Sequence, residues 1–559
     1  MVKFRLLFAI AITLLFLIVG LYLSGYATLA LLGLDAELLK WNTYLIYYRA
    51  LDVPAVAPHV AKIRWGGGLG FGVSATLWLG CLVLVLKPRP KSAHGEARFA
   101  GRSELARAGL LKPAPDGIVI GKIGSTLIRL PGQQFAILAA PTRSGKGVGI
   151  VIPNLLEYRD SIVVLDIKGE NFELTSGWRA EQGQKIYKFN PYDTHTHRWN
   201  PMGYVASDPH RRINDIQAIA AMLYPDQGGE DKFWVSQARN AFLAFALYLY
   251  ENYDDQRQQG YPFELLKFPT LGGVLRLACG DGRNLKDYLQ SLAEARFLSA
   301  SAKVAFAGLL SQEKETFASI MGTLREPLNP FVSPIMDAAT GGNDFRLNEV
   351  RKKPTTIYLV IPPHKLGECR VLVNLFFSQL INENTQQLPV QNPALKHQCL
   401  LLMDEFTAIG RVDKLADSIT HIAGYNLRVF PIIQSKAQLE ATYGKEVART
   451  LITNHAVQIV FAPREQQDAN DYSEMLGYTT VKRHSVTRGR DHSRSESEER
   501  RALMLPQELK ALGPDKQIVF YEGLAQPVLC EKIRYYSDKE FMFRVKPPVK
   551  VLSARPNNA

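Results

Sequence analysis

Two stretches near the N-terminus contain no charged residue, Leu6 to Leu34 and Trp65 to Leu86. Each meets the ~20 residues a helix needs to cross a bilayer, so the pattern predicts two spans. Lys3 and Arg5 in front of the first span also suit the n-region of a signal peptide, but the apolar run exceeds the usual ~7–15 residues of one. Basic residues flank both outer ends, Lys3 and Arg5 before the first span and Lys87, Arg89 and Lys91 after the second, which favours both ends inside. The loop between them, 35–64, carries Lys40, Arg49, Lys62 and Arg64, so the bias is modest.

Beyond residue 87 short apolar runs alternate with segments of helical period. The runs Ile162–Leu165, Thr356–Ile361, Cys399–Met403, Val429–Ile433 and Val457–Phe461 are rich in branched residues and read as strands buried on both faces. Strands alternating with helices predict an α/β fold with a mostly parallel, doubly wound sheet. About residues 205–345 show helical periodicity and little strand signal, which predicts an inserted all-α domain. The expected organisation is a transmembrane hairpin with a short periplasmic loop at 1–90, the first part of the sheet domain at 91–204, the helical domain at 205–345 and the second part at 346–559. Residues 482–501, KRHSVTRGRDHSRSESEERR, are too polar to bury a face and are expected to form a mobile loop. Gln517–Glu522 and Pro527–Tyr535 read as a strand hairpin closing the sheet.

Composition narrows the partners without choosing one. With 559 residues and 47% hydrophobic content, the chain has material for more than one cored domain. Its formal charge of +13 points to an acidic partner, whether anionic lipid, nucleic acid or nucleotide. The five cysteines are scattered, without a CxxC pair or a histidine cluster at metal spacing, and read as reduced packing residues.

The chemistry begins at residues 140–149, APTRSGKGVG, directly after the apolar run Phe135–Ala139. They nearly match the phosphate-binding loop G-x-x-x-x-G-K-[ST], with Ala140 at the first position and Gly147 where a Mg²⁺-binding hydroxyl is expected. A loop between strand and helix presents backbone N–H groups to a phosphate, Gly145 permits close approach, and Lys146 supplies a point charge. Pro141, Thr142, Arg143, Ser144, Gly145, Lys146 and Gly147 are therefore the candidate nucleotide-binding residues. Cys399–Met403 ends in Asp404-Glu405, where one carboxylate suits Mg²⁺ and the next suits polarising a water. Gln434 ends the next strand and is placed to sense a γ-phosphate. Asp166 and Glu170 form a further acidic pair at a strand end, with Lys168 between them and helix capping as the plainer role of Asp166. A nucleotide site works where ATP is available, which agrees with a cytoplasmic bulk.

At these residues the chain resembles the type IV secretion coupling proteins of the VirD and TraG kind, RecA-like relatives of the FtsK DNA pumps. The resemblance rests on the membrane hairpin, PTRSGKGVG at 141–149, DIKGE at 166–170, FNP at 189–191, KFW at 232–234, MDEF at 403–406, QS at 434–435 and LGYTTV at 476–481. It implies a RecA-like P-loop ATPase of the inner membrane that hydrolyses ATP with Mg²⁺ held at Asp404, with Glu405, Gln434 and Lys146 as catalytic residues. It also implies a hexamer, contacts with inner-membrane components of a secretion system, and delivery of relaxase–DNA complexes, protein effectors or both. Arg411 and Arg428 fall where relatives place an arginine acting in trans. Residues 205–330 hold 13 Lys and Arg against 15 Asp and Glu, a net charge of −2, which favours reading protein signals over gripping phosphates. Two other readings stand beside the motor: a receptor scaffold whose nucleotide site only locks the ring, and an FtsK-like or conjugative DNA translocase.

Overall fold

The computed structural model describes residues 2–86, 94–226, 232–487 and 493–554. The chain divides into two compact units, Met1–Ala93 and His94–Ala559. The first is a helical hairpin of Val2–Leu32 and Val60–Leu86, joined by the short helix Thr43–Arg49. Both long helices are apolar all round and long enough to cross a membrane. They meet along small residues. A Cβ added at Gly70 would lie 2.2 Å from Ser24 N, and one at Gly66 would lie 2.8 Å from Thr28 Cα. Close approach lets polar side chains bridge the helices, with Ser74 Oγ donating to Phe16 O at 2.6 Å and Trp78 Nε1 donating to Thr13 Oγ1 at 3.0 Å. In lipid such packing and hydrogen bonding replace the hydrophobic drive that joins helices in water. The basic cluster Lys87, Arg89 and Lys91 lies outside the described residues.

The second unit is built on an eleven-stranded mixed sheet. Its parallel part contains β3 (Ala136–Ala139), β4 (Ser161–Asp166), β5 (Lys185–Phe189), β6 (Thr355–Val360), β7 (Cys399–Met403), β8 (Leu427–Ile433) and β9 (Val457–Val460), in the spatial order β9-β3-β8-β7-β4-β6-β5. Period-two alternation serves two cores. On β3, Ile137 and Ala139 enter one and Ala136 and Leu138 the other; on β4, Val163 and Leu165 oppose Ile162 and Val164 in the same way. Burial on both faces is why these strands read as unbroken apolar runs.

Beyond β9 the sheet becomes antiparallel, through β12 (Lys516–Tyr521), β13 (Val528–Glu531), β1 (Ile118–Ile123) and β2 (Thr126–Leu130). The β12–β13 hairpin forms as the pattern predicts, but it does not close the sheet, because β1 and β2 continue past it. Between β5 and β6 the chain runs through helices that include Pro209–Leu223, Lys232–Gln258, Ala300–Leu310 and Lys314–Arg325. Phe242, Phe245, Phe306, Ile320 and Leu324 fill their core. Of the aromatics on Lys232–Gln258, Tyr250 is buried and donates to Met202 O, Trp234 and Tyr248 are partly buried, and Phe233 is exposed.

A second expectation also fails. Residues 478–502 form an antiparallel ribbon, β10 (Tyr478–Thr487) with β11 (Ser493–Ala502), where the polar composition predicts a loop. Residues 488–492 of that stretch lie outside the described residues. Polar composition argues against a buried face but not against strand pairing, and the register sets Lys482 opposite Glu498. Arg483 Nη1 lies 3.1 Å from Glu499 Oε1. Cross-strand pairs of opposite charge stabilise strands that bury little.

Candidate functional site

Sheet topology gathers the motifs. Strands β3, β8, β7 and β4 are neighbours in that order and point the same way. Their C-terminal ends therefore place the loop 140–147, Gln434, the pair Asp404-Glu405 and Asp166 along one edge, where α/β sheets bind ligands.

The loop starts at buried Pro141, exposes Thr142 and Arg143, and leads through Gly147 into a helix whose first turn, Gly147–Val151, is a π turn. Arg143 and Gly145 both take left-handed backbone angles, with φ of 58° and 85°. Left-handed residues set among right-handed ones curl the chain so that successive N–H groups converge, the geometry of an anion nest. Lys146 lies between the two acids: its Nζ is 3.3 Å from Asp404 Oδ1 and pairs with Glu405 Oε1. The other oxygen of Glu405 accepts from Gln434 Nε2 at 2.8 Å. Lysine, glutamate and glutamine thus form a continuous chain across three strand ends.

Glu405 adopts φ 55° and ψ 47°, a left-handed conformation that costs a non-glycine residue about 1–3 kcal/mol. Asp404 is raised above the usual carboxylate range by burial, partly offset by Lys146. Apart from its ion pair with Lys146, its Oδ1 has no hydrogen-bond partner among the described residues, and neither does the buried Ser144 Oγ. A buried carboxylate oxygen facing only a lysine, a free loop hydroxyl, that lysine and a nest of N–H groups match the needs of a magnesium–polyphosphate ligand. Asp404 would hold the cation, directly or through water, while the loop and Lys146 would hold the phosphates. Gly147 offers no hydroxyl, so the cation's remaining ligands would be water and phosphate oxygens.

Asp166 accepts from Gly169 N at 2.9 Å and from Phe172 N at 2.9 Å, opening the helix Glu170–Glu181. Burial pushes its carboxyl up to about 6. Glu170 and Lys168 are exposed. The two arginines part company. Arg428 is fully buried, its guanidinium donating to the carbonyls of Gln134, Asp116 and Leu130 at 2.7–3.2 Å. It sits at the N-terminal end of β8, away from the loop, with its guanidinium committed to those carbonyls. Arg411 is exposed, pairs with Asp413, and lines an open cleft of 590 Å³ with Arg370, Asn374 and Ile409.

Two groups at the loop carry no sequence signal, because they lie more than three hundred residues further along the chain. Arg464 Nη1 donates to Thr142 Oγ1 at 3.3 Å, and Lys532 Nζ donates to Ser144 O at 3.3 Å.

A model of the family described as "Type IV secretory system Conjugative DNA transfer" matches residues 92–559. The chain is 30% identical over 525 residues to Protein VirD4 of Rhizobium radiobacter, which covers 91% of this chain and 73% of that one. It is 26% identical over 554 residues to Conjugal transfer protein TraG of Escherichia coli, covering 88% and 85%. Among solved structures, the plasmid coupling protein TrwB in complex with the ATP analogue ADPNP superposes with a TM-score of 0.57 at 17% identity, covering 85% of this chain and 99% of that one. TrwB in complex with ADP and Mg²⁺ gives a TM-score of 0.54 at 18% identity, covering 84% and 98%. At these identities the structural likeness establishes the fold.

Proposed function

The chain belongs to the type IV secretion coupling protein family, and from that premise we propose that it is an inner-membrane ATPase that recruits secretion substrates and drives their delivery. The observation that carries this reading is the chain Lys146–Glu405–Gln434 beside Asp404, whose Oδ1 faces the same lysine. A site used only to lock a ring has no need of an acid held in a strained backbone conformation next to the phosphate lysine. TrwB, the structural relative, is described with ADP and Mg²⁺ and with ADPNP. ATP with Mg²⁺ is accordingly the proposed ligand.

Bound Mg²⁺ would neutralise phosphate charge as the γ-phosphoryl group leaves. The protein's own groups do the rest. Residues 141–147, Lys146 among them, would hold the polyphosphate, and the Asp404 carboxylate would hold the cation. Glu405, released from Lys146 by the phosphates, accepts the proton of the attacking water. Gln434, hydrogen-bonded to Glu405, registers loss of the γ-phosphate and passes the change to β8. The proposed assembly is a hexamer with ATP between subunits, in contact with inner-membrane components of the secretion system through the hairpin.

The helices between 205 and 345 are the proposed substrate receptor. The helices Pro209–Leu223, Lys232–Gln258 and Ala300–Leu310 border a groove of 540 Å³ lined by Ile213, Gln237, Asn240, Leu243, Val304 and Leu309, with no charged residue in its lining among the described residues. An uncharged groove in a segment of net charge −2 suits an apolar peptide signal better than a phosphate backbone. The test uses the full chain in membranes. Lys146→Ala should insert and fold normally yet export no substrate, and Val304→Glu should lose effector binding while keeping ATPase turnover. Normal export by Lys146→Ala would refute the motor. Tight, salt-sensitive DNA binding that survives Val304→Glu would replace the protein-signal reading with DNA transfer.

A further inference from the structure

Strand β13 ends at Glu531, and the next residue, Lys532, turns inward against the back of the phosphate loop. Its side chain is buried, with Nζ 3.7 Å from the centroid of the Phe461 ring and 3.3 Å from Ser144 O. Among the described residues it forms no ion pair with a carboxylate. The neighbouring charges are Asp515 and Arg534, which pair with each other. Burial pulls its ammonium down to about 8. The following residue closes the same contact: Ile533 O lies 3.3 Å from where a Cβ on Gly149 would sit. The end of β13 is therefore packed against the loop and its helix.

A buried cation without a counter-ion is costly, and only a strong compensating interaction maintains it. The geometry supplies one. Ser144 C=O and Gly145 N–H belong to one peptide unit, and in a trans peptide they point in opposite directions. With the carbonyl aimed at Lys532, the Gly145 N–H is aimed to the other side, into the concave face of the nest. Positive charge at the carbonyl polarises the whole amide and makes its N–H a stronger donor to an anion.

We propose that Lys532 is a positioning residue for the nucleotide site, which fixes and polarises the Ser144–Gly145 peptide so that its N–H binds a polyphosphate, with the bound polyphosphate acting as the missing counter-charge. It acts through the peptide and does not touch the ligand, in contrast to Lys146, which faces the phosphates. The inference rests on the loop being a nucleotide site.

The test is fluorescent ATP and ADP binding to the full chain in detergent, with the thermal midpoint measured on each sample. Lys532→Met keeps an unbranched apolar stem over Phe461 and removes the charge. It should bind both nucleotides about 10-fold more weakly at an unchanged or raised thermal midpoint, and Lys532→Arg should recover most of the affinity. Wild-type affinity in Lys532→Met would overturn the proposal. So would a loss that Lys532→Arg shares and that a lowered midpoint accompanies, because packing alone would then account for it. Absence of saturable binding in the wild type would instead bring down the nucleotide reading itself, and the inference with it.

Discussion

Glu405→Gln should separate nucleotide affinity from turnover, in opposite directions. Without nucleotide, Lys146 is held by Glu405 and lies near Asp404, and it must leave both before it can reach a phosphate. A hydrogen bond involving a charged group contributes about 1.5–3 kcal/mol; Lys146 stays charged after the exchange, so its bond to the carboxylate sits at the upper end of that range and its bond to the amide at the lower. Both side chains are mostly shielded, with exposures of 13% and 24%, so solvent screening removes little of this difference. Exchanging the carboxylate for an amide therefore weakens the competing contact by about 1 kcal/mol, which is roughly 5-fold tighter ATP binding. The same change removes the proton acceptor, and general-base catalysis is worth roughly 10²–10⁴-fold in rate, or about 3–5 kcal/mol of barrier. Titration with a fluorescent ATP analogue measures the first effect and phosphate release measures the second. Weaker or unchanged binding would refute the competition, and undiminished release would refute the base.

Two further outcomes follow from the fold. Asp166 has its carboxyl raised to about 6 when folded, against about 3.9 unfolded, so its contribution is most favourable below pH 4 and is lost as pH rises through 6. That amounts to about 3 kcal/mol, and subtracting the stability of Asp166→Asn from wild type across pH 4–7 should show a declining difference; a flat one would refute the assignment. In the hairpin, a cysteine pair at Phe16 and Ser74 should crosslink in the wild-type background and fail to do so with Gly70→Leu, whose Cβ would strike Ser24. Gly72→Leu, with no atom within 4 Å of its Cβ, should crosslink normally, and equal behaviour of the two leucine variants would refute the packing.

What the sequence shows depends on how many faces a segment buries. β3, β4, β6, β7, β8 and β9 are covered on both faces, so their apolar runs stand out. β5, with Lys185 exposed and Ile186, Tyr187 and Lys188 half-covered, and the outer pair β1–β2 lack that continuity. The ribbon β10–β11 is legible only through its cross-strand charges, which require the register to be known. At the site, the loop and Asp404-Glu405 are readable because each is a local motif at a strand end, and Gln434 because it follows the next strand. Arg428 could be placed only by the fold: an arginine opening a strand looks the same whether it reaches a neighbour or caps buried carbonyls. Lys532 and Arg464 meet the loop through tertiary packing, which no local pattern records.

The position of β3 sets a timetable for the protein's synthesis. This strand carries the phosphate loop, yet its two partners, β8 and β9, come about three hundred residues later in the chain. At about 5–20 residues per second, a ribosome needs roughly 15–60 s to deliver them after β3 has emerged. During that interval four apolar residues, Ala136 to Ala139, have neither neighbour, while the first apolar helix is already available for membrane insertion. Insertion of that helix would anchor the nascent chain long before the sheet around its phosphate loop can assemble, and any product ending before Val460 carries the loop on a strand that has no complete sheet to join.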